Sequence, residues 1–366
     1  MRILHITTIV EWRGGDAQML TTYNLMKNYS DVEQFILCPV GSVLSDKLKK
    51  DEVKYYTASR KSKQSFKFAR EIWRIVKQEK IDIIHVHDSN AFSLTLLIIR
   101  FLPNTKLVYS RKRNNPISNN YFKKIKYNHK RINQIVCVSN AVKDVFRPIL
   151  KKMDHVVTIY DGIDVKKFEL NKKEDVLIKE YGLAEETTII ANIASLTEQK
   201  DITTFIDAVE IIVNSTQRKI QFFVIGDGEL NEELTKYKQK KGLNEKIIFT
   251  GFRNDIPKIL PEIDILMMSS IVEGLPLSIF EAFAAKVPVV STSAGGIKEA
   301  IKQKETGMIS PIKDSNALAQ NVLCLLEDPK LIDYIVESSN ILVNQNFTLE
   351  VMKKNYYKMY KNVYNK

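Results

Sequence analysis

The chain has 366 residues, 44% of them hydrophobic and 27% charged, with 55 Lys and Arg against 43 Asp and Glu for a net charge of +12. These values exclude a disordered or collagen-like chain and leave room for two domains of ordinary size. Three scattered cysteines, Cys38, Cys137 and Cys324, with no Cys-x-x-Cys, exclude a disulfide framework and a zinc-ribbon site, and fit a reducing, cytoplasmic setting.

The basic balance favours anionic partners: nucleic acid, acidic lipid or phosphorylated small molecules. A Lys- and Asn-rich composition gives the same balance without any partner, so charge alone does not choose. The opening residues are too interrupted for a signal peptide, and the most apolar stretch, 94–102, is broken by Arg100 and is half a membrane span long. A soluble or peripheral protein is expected.

In chain order, short β-rich apolar runs fall at 3–9, 34–39, 83–86, 106–110, 134–138 and 156–160, then at 188–194, 221–225, 246–250, 265–268 and 287–291. Helical periodicity occupies 17–28, 66–79, 203–214 and 231–241 between them, and 349–364 at the end. Strands apolar on both faces that alternate with helices predict parallel sheets covered by helices. Two such series predict an α/β chain of two doubly wound domains rather than one barrel. Gly162, Asp164 and the charged run 166–173 read as the linker. The last helix carries Tyr356, Tyr357, Tyr360 and Tyr364, which predicts that it packs on something.

The loop Trp12-Arg13-Gly14-Gly15-Asp16 follows the first strand and opens the first helix. Two readings stand: paired glycines that admit a phosphate to the helix N-terminus, or a tight turn. His85 and His87 share a strand face, but no further ligand cluster supports a metal; His87 reads as an acceptor-pocket or a core residue. Residues 111–131 hold eight Lys or Arg and no acid, interleaved with Tyr121, Phe122, Ile125 and, just beyond, Ile132. This pattern suits anionic headgroups or a phosphorylated glycan, or is a solvated face. With no recognised nucleic-acid motif, nucleic acid is not expected as a partner.

In the second half, Lys200 follows the strand 188–194, where a cation would neutralise a diphosphate unless it is a plain surface lysine. Gly226 and Gly228 open another strand-to-helix turn, with ligand approach and plain turn both open. Glu273 and Glu281 lie eight apart around Gly274-Leu275-Pro276, with Ser278 between them and the loop 293–296 beyond. A proline there suits a helix start, whose free N–H groups hold anions. Two carboxylates beside an anion site suit a ligand with both hydroxyls and phosphates, which a nucleotide sugar has.

Assembled, these residues resemble the retaining glycosyltransferases of family four, which have the GT-B fold. The resemblance rests on Glu-x7-Glu at Glu273 and Glu281, with Gly274-Leu275-Pro276-Leu277-Ser278 between them. Tyr160-Asp161-Gly162-Ile163-Asp164, Ile225-Gly226-Asp227-Gly228, Phe249-Thr250-Gly251-Phe252-Arg253-Asn254-Asp255 and Ala294-Gly295-Gly296 support it in order. It implies an N-terminal acceptor domain at 1–165, with 347–366 packing back on it, a nucleotide-sugar domain at 166–346, and a cleft between them.

By the same resemblance, Glu281 holds the ribose, while Glu273 and the backbone of Gly274, Leu275, Pro276 and Leu277 hold the sugar. Ser278 adds a hydroxyl, Lys200 meets the diphosphate, Phe252 and Arg253 flank the base, and Gly15 and Gly228 pass close to the donor. Two departures stand out: Ser195 replaces an arginine usual before the lysine, and Arg111 replaces a sugar-contacting histidine. Arg111 is therefore expected to restore a phosphate-facing charge.

The resemblance implies a UDP-, GDP- or ADP-linked donor, a glycan or lipid-linked acceptor in lipopolysaccharide or surface-polysaccharide synthesis, and no cofactor or metal. No Asp-x-Asp is present. No general base is assigned, since the leaving phosphate serves in the family. A cytoplasmic enzyme, peripheral on the inner face of the membrane through 111–131, is the expected setting. A GT-B epimerase or phosphorylase, or a non-catalytic glycan- or membrane-binding protein, shares part of this pattern.

Overall fold

Apolar runs become strands, most of them buried on both faces, and the strands described pair in parallel. The structure is a computed structural model that describes residues 1–12, 14–51, 53–59, 66–169 and 174–366. It falls into two units: Met1–Asp161 with Leu349–Lys366, and Gly162–Thr348.

The first unit contains β1 (Arg2–Ile6), β2 (Glu33–Pro39), β3 (Tyr55–Ala58), β4 (Ile83–Val86), β5 (Lys106–Arg111), β6 (Ile132–Cys137) and β7 (Val156–Thr158). Their order is β3-β2-β1-β4-β5-β6-β7. The second contains β8 (Thr188–Ile193), β9 (Ile220–Ile225), β10 (Ile247–Gly251), β11 (Ile265–Met268), β12 (Val289–Thr292) and β13 (Met308–Ser310), ordered β10-β9-β8-β11-β12-β13. Each sheet is doubly wound, with the strand order reversing between β1 and β4 and between β8 and β11. Hydropathy missed two strands. β3 is an edge strand with three of its four residues partly exposed, and β13 has three residues, too few for a pattern.

The final helix, Leu349–Tyr364, belongs to the first unit because of its apolar face. Met352, Tyr356, Met359, Tyr360 and Val363 are buried with Ile3, Met26, Ile83 and Val108. Each such side chain contributes about 2 kcal/mol on burial. Tyr357 lies outside this face. It stacks on Tyr29 at 3.7 Å and its hydroxyl donates to Asp31, while Tyr364 is 44% exposed.

The units divide at 161/162, before the expected 165/166, for a physical reason. Asp161 is buried against Lys112 of the first unit, whereas the Ile163 N–H donates to the Phe347 carbonyl of the second. The expected linker is therefore partly structured. Lys166–Glu169 is a helical turn in contact with the Leu277–Ala284 helix, and 170–173 lie outside the described residues. Among the described residues, no helix is long and apolar enough to cross a membrane.

Candidate active site

Where strand order reverses, the loops leaving neighbouring strands diverge and open a crevice beyond the carboxyl ends. In the second unit, the β8 loop ends in a short 3-10 turn, Glu198–Lys200, and the β11 loop carries Glu273. Lys200 Nζ donates to Glu273 Oε1 at 2.5 Å, and Ser270 Oγ donates to the same oxygen at 2.8 Å. Ser269 Oγ donates to the Lys200 carbonyl at 2.9 Å, and Ile271 N to the Gln199 carbonyl at 2.9 Å. Three of these bonds pin the two loops together, and the fourth, from Ser270, fixes Glu273 within its own loop. The Lys200 and Glu273 side chains are 21% and 10% exposed, so solvent screens the pair weakly. Both donors use Oε1, and Oε2 has no partner among the described residues.

The Leu277–Ala284 helix starts just beyond, with Pro276 at its cap in an extended conformation and no capping side chain. The N–H groups of its first turn are thus uncapped. Leu275 is buried, so only its backbone is on offer, and Ser278 Oγ has a single weak contact, to Met268 Sδ at 3.9 Å. Glu281 sits inside this helix, half-buried, with no hydrogen-bond partner for its carboxylate among the described residues. Burial raises its pKa, opposed by Lys167.

Gly226 and Gly228 are required by the fold itself. A Cβ at Gly226, where φ is +144°, would lie 2.0 Å from the Ala194 carbonyl oxygen, and one at Gly228 would lie 2.4 Å from that of Leu196. The β9 loop therefore lies flat on the β8 loop, closed by Leu196 N to Asp227 O and Leu230 N to Leu196 O. That packing holds Ser195 exposed on the loop that leads to Lys200. Of the pair expected at the base, Phe252 offers an 80% exposed ring. Arg253 is engaged: its guanidinium grips Asp255 at 2.8 and 2.9 Å and Glu180 at 2.7 and 2.8 Å, which raises its pKa.

In the first unit, the reversal gathers three histidines. Parallel register sets His5 of β1 opposite His85 of β4, and His87 follows at the strand end. His5 Nδ1 lies 3.1 Å from His87 Nε2, and His5 Nε2 lies 3.0 Å from Gln34 Oε1. His85 contacts the Tyr360 hydroxyl at 2.6 Å and Ser110 Oγ at 2.7 Å. Burial depresses the His5 pKa to about 4 and those of His85 and His87 well below the usual value. The reading that no further ligand joins His85 and His87 is corrected: the three rings offer nitrogens within 4.8 Å of one another. Both nitrogens of His5 and of His85 are nonetheless committed to hydrogen bonds. His5 and Gln34 escaped sequence reasoning, because only the β1–β4 and β1–β2 pairing brings them to His87.

Gly14 and Gly15 start the first helix, and a Cβ on either would meet nothing within 4 Å. Neither steric crowding nor a left-handed φ demands glycine there, unlike at Gly226. Arg13 lies outside the described residues. Arg111, at the end of β5, donates to the Asn115 carbonyl at 2.5 Å and lies over the Phe146 ring at 5.6 Å. Its buried Nε has no partner among the described residues.

The basic run 111–131 is not one solvated or lipid-facing surface. Lys112 is paired with the buried Asp161 beside Tyr356; burial opposes its charge, but the carboxylate outweighs it and pushes the pKa up. Arg131 donates to the carbonyls of Leu102 and Thr105. Lys126 donates to Ser89 and Ser93, and burial, reinforced by Lys123, lowers its pKa to about 8. What stays on the surface is Arg113, Lys124 and Lys130 with Tyr121, Phe122 and Ile125, the last three 72%, 79% and 51% exposed.

Two doubly wound domains, one carrying a lysine–glutamate pair beside an uncapped helix N-terminus, define a glycosyltransferase that acts on a nucleotide sugar. Family profiles described as "Glycosyltransferase Family 4" and "Glycosyl transferases group 1" match residues 31–167 and 173–340. The chain belongs to the family 4 glycosyltransferases and has the GT-B fold. It is 25% identical, over 94% of its length and 92% of the relative's, to the UDP-Gal:α-D-GlcNAc-diphosphoundecaprenol α-1,3-galactosyltransferase of Escherichia coli. It is 23% identical to the N-acetyl-α-D-glucosaminyl L-malate synthase of Bacillus anthracis, over 81% of this chain and 78% of that one. HepE of Anabaena, solved in complex with UDP and glucose, shares the fold with a TM-score of 0.83 and 18% identity, over 99% of this chain and 100% of that one.

Proposed function

We propose that this enzyme transfers a hexose, with retention of anomeric configuration, from a UDP-linked donor to a lipid-linked glycan in the synthesis of a surface polysaccharide. The observation that carries the proposal is the Lys200–Glu273–Ser270 cluster at the β8/β11 reversal, beside the uncapped Leu277–Ala284 helix. In this reading Lys200 meets the diphosphate, and the backbone N–H groups of Gly274, Leu275 and Leu277 with Ser278 Oγ and Ser195 Oγ share its oxygens, Pro276 having no N–H to offer. Glu273 Oε2 accepts from sugar hydroxyls, Glu281 from the ribose diol, and the Phe252 ring stacks on the base. Gly15 keeps the donor-contacting role that the family resemblance gives it, Gly228 passes close to the donor, and Arg111, where this chain departs from the family, restores a phosphate-facing charge, with Arg253 holding the Phe252 loop.

Glycosyl transfer passes through an oxocarbenium-like state while negative charge grows on the departing phosphate. A fixed ammonium and fixed N–H dipoles stabilise that charge without reorganising. Lys200 balances Glu273 in the structure, so a diphosphate competes with a carboxylate for it. No metal or cofactor is proposed.

The lipid-linked class and the UDP base are supported by the Escherichia coli relative's substrates and by UDP bound to HepE. The exposed patch of Tyr121, Phe122 and Ile125 with Arg113, Lys124 and Lys130 fits a peripheral seat on anionic lipid. Tyr121→Ser with Phe122→Ser should release the enzyme from anionic vesicles, while RNA leaves it unbound; unchanged vesicle binding refutes that seat.

The deciding experiment offers α-D-GlcNAc-diphosphoundecaprenol with UDP-Gal, UDP-Glc, UDP-GlcNAc, GDP-Man or ADP-Glc and determines the product anomer by NMR. A UDP-linked donor and an α-product are expected. A β-product refutes retention, turnover of GDP-Man or ADP-Glc alone refutes the base, and donor consumption without glycosylated lipid refutes the acceptor class.

A further inference from the structure

His87 ends a one-way hydrogen-bond chain. The Tyr23 carbonyl only accepts, so the Gln34 amide must present Nε2–H to it, at 2.8 Å. Gln34 Oε1 therefore faces His5 Nε2 at 3.0 Å, and an amide oxygen only accepts, so His5 carries its proton on Nε2. His5 Nδ1 then holds a lone pair, and His87 Nε2, 3.1 Å away, must donate to it. Burial keeps both rings neutral. A neutral His87 protonated on Nε2 is left with a bare lone pair on Nδ1.

No described residue of the first unit uses that lone pair. Nδ1 of His87 has no partner among the described residues, and His87 keeps some exposure whereas His5 and His85 have none. The ring is held from the other side by His85, 4.0 Å away between centroids, itself fixed by the Tyr360 hydroxyl and Ser110. The backbone is held too: His87 N donates to the Ile6 carbonyl, and Thr8 grips the neighbouring Asp88 through N at 2.6 Å and Oγ1 at 2.8 Å. His87 thus stands, rigid and uncharged, at the carboxyl end of β4, where the strand order reverses and such sheets bind ligands.

We infer that His87 Nδ1 is a built hydrogen-bond acceptor for a hydroxyl of the acceptor glycan, and that Gln34 and His5 are positioning residues that fix its tautomer. This rests on the glycosyl-transfer reading above. A locked lone pair accepts from a hydroxyl and offers no proton to an oxygen that only accepts. It therefore discriminates a free hydroxyl from a blocked one, as a site built to hydrogen-bond a substrate hydroxyl does.

The chain is tested directly by long-range proton–nitrogen NMR of the full-length protein labelled in its five histidines. His5 and His87 should both appear as the Nε2–H tautomer at neutral pH. An Nδ1–H tautomer or an imidazolium at either position overturns the inference, as does stoichiometric zinc in the purified protein that shifts the His5, His85 and His87 signals. This measurement needs no donor or acceptor, so it decides the chain whatever the acceptor proves to be.

The role is tested kinetically with UDP-Gal and α-D-GlcNAc-diphosphoundecaprenol. His87→Gln keeps a polar group near Nε2, whereas His87→Asn places one near Nδ1. His87→Gln and Gln34→Met should raise KM for the lipid by about tenfold, the scale of one lost hydrogen bond in a built site. KM for UDP-Gal and the rate of donor hydrolysis should stay put, and His87→Asn should recover most of the loss. Equal effects of Asn and Gln at 87, or a donor KM that moves with the acceptor KM, overturn the role. A wild-type enzyme inert towards this lipid, with the expected tautomers, counts against the acceptor class and leaves the chain standing.

Discussion

At the β8/β11 reversal the groups that meet are an ammonium and a carboxylate 2.5 Å apart. At the β1/β4 reversal they are three imidazoles held neutral by burial, with hydroxyls and an amide. The first lies beyond the carboxyl ends of its parallel strands and the second in their last residues, with His87 just past β4, in sheets of the same winding. The fold therefore supplies the place and not the chemistry. Exchangeable charges suit a ligand that brings its own charge, such as a diphosphate. A rigid neutral network suits hydroxyl groups, for which a fixed charge adds desolvation cost and little selectivity.

Breaking the charged site should have the largest effect. Lys200→Ala should cost about 2–4 kcal/mol of transition-state stabilisation if the ammonium acts as one good anion donor. Donor hydrolysis reads it without any acceptor. A loss below about tenfold, with an unchanged melting temperature, removes Lys200 from the diphosphate.

The neutral site should show itself in acid. The folded His5 pKa, about 4, lies below the ordinary 6.5, so the unfolded chain binds a proton that the folded chain excludes. Its contribution is complete above pH 6.5, is lost as pH falls towards 4, and amounts to roughly 3 kcal/mol. Trp12 and Trp73, the two tryptophans of the chain, both lie in the first unit, so urea unfolding followed by fluorescence reads that unit. His5→Gln should flatten the acid slope by most of this amount. An unaltered slope would mean the imidazole is not kept neutral by burial.

The glycine pairs sharpen the contrast at a smaller scale. Gly228→Ala drives a methyl into the Leu196 carbonyl and should cost about 1–3 kcal/mol of stability in the second unit. Gly15→Ala meets open space and should leave stability within about 0.5 kcal/mol. If Gly15 approaches a phosphate, activity falls all the same. Activity and stability both unchanged in Gly15→Ala would return Gly15 to a plain turn.

Legibility followed the range of the interaction. Hydropathy runs placed eleven of the thirteen strands, because a strand buried on both faces writes its own pattern. The Glu273–Glu281 segment was legible because its chemistry is contiguous: loop, helix start and second carboxylate fall within nine residues. Lys200 was legible only through its place after the first strand of its sheet. His5 and Gln34 were not, since they meet His87 through pairing between strands far apart in sequence. Composition misled at Lys112 and Arg131, where cations that read as surface are bound to a buried carboxylate and to backbone carbonyls. Charge type shows in a sequence; the partner that neutralises it does not.

The smallest effect separates two neighbours that the sequence treats as equals. The Phe252 ring is 80% exposed, and Arg253 beside it spends its guanidinium on Asp255 and Glu180. An exposed ring contributes little to the fold, so Phe252→Ala should leave the melting temperature in place. If the ring stacks on the donor base, the loss is about 1 kcal/mol, or roughly fivefold in UDP affinity, as for other aromatic pairs. Arg253→Ala should do the reverse. It strands two carboxylates next to the loop, lowers the melting temperature, and weakens UDP only as far as the loop slackens. Titration calorimetry with UDP and thermal melts on both variants distinguish the roles. UDP affinity unchanged in Phe252→Ala, together with a direct loss in a stably folded Arg253→Ala, would transfer the base contact from the ring to the guanidinium and leave the ion pairs as the weaker of its two attachments.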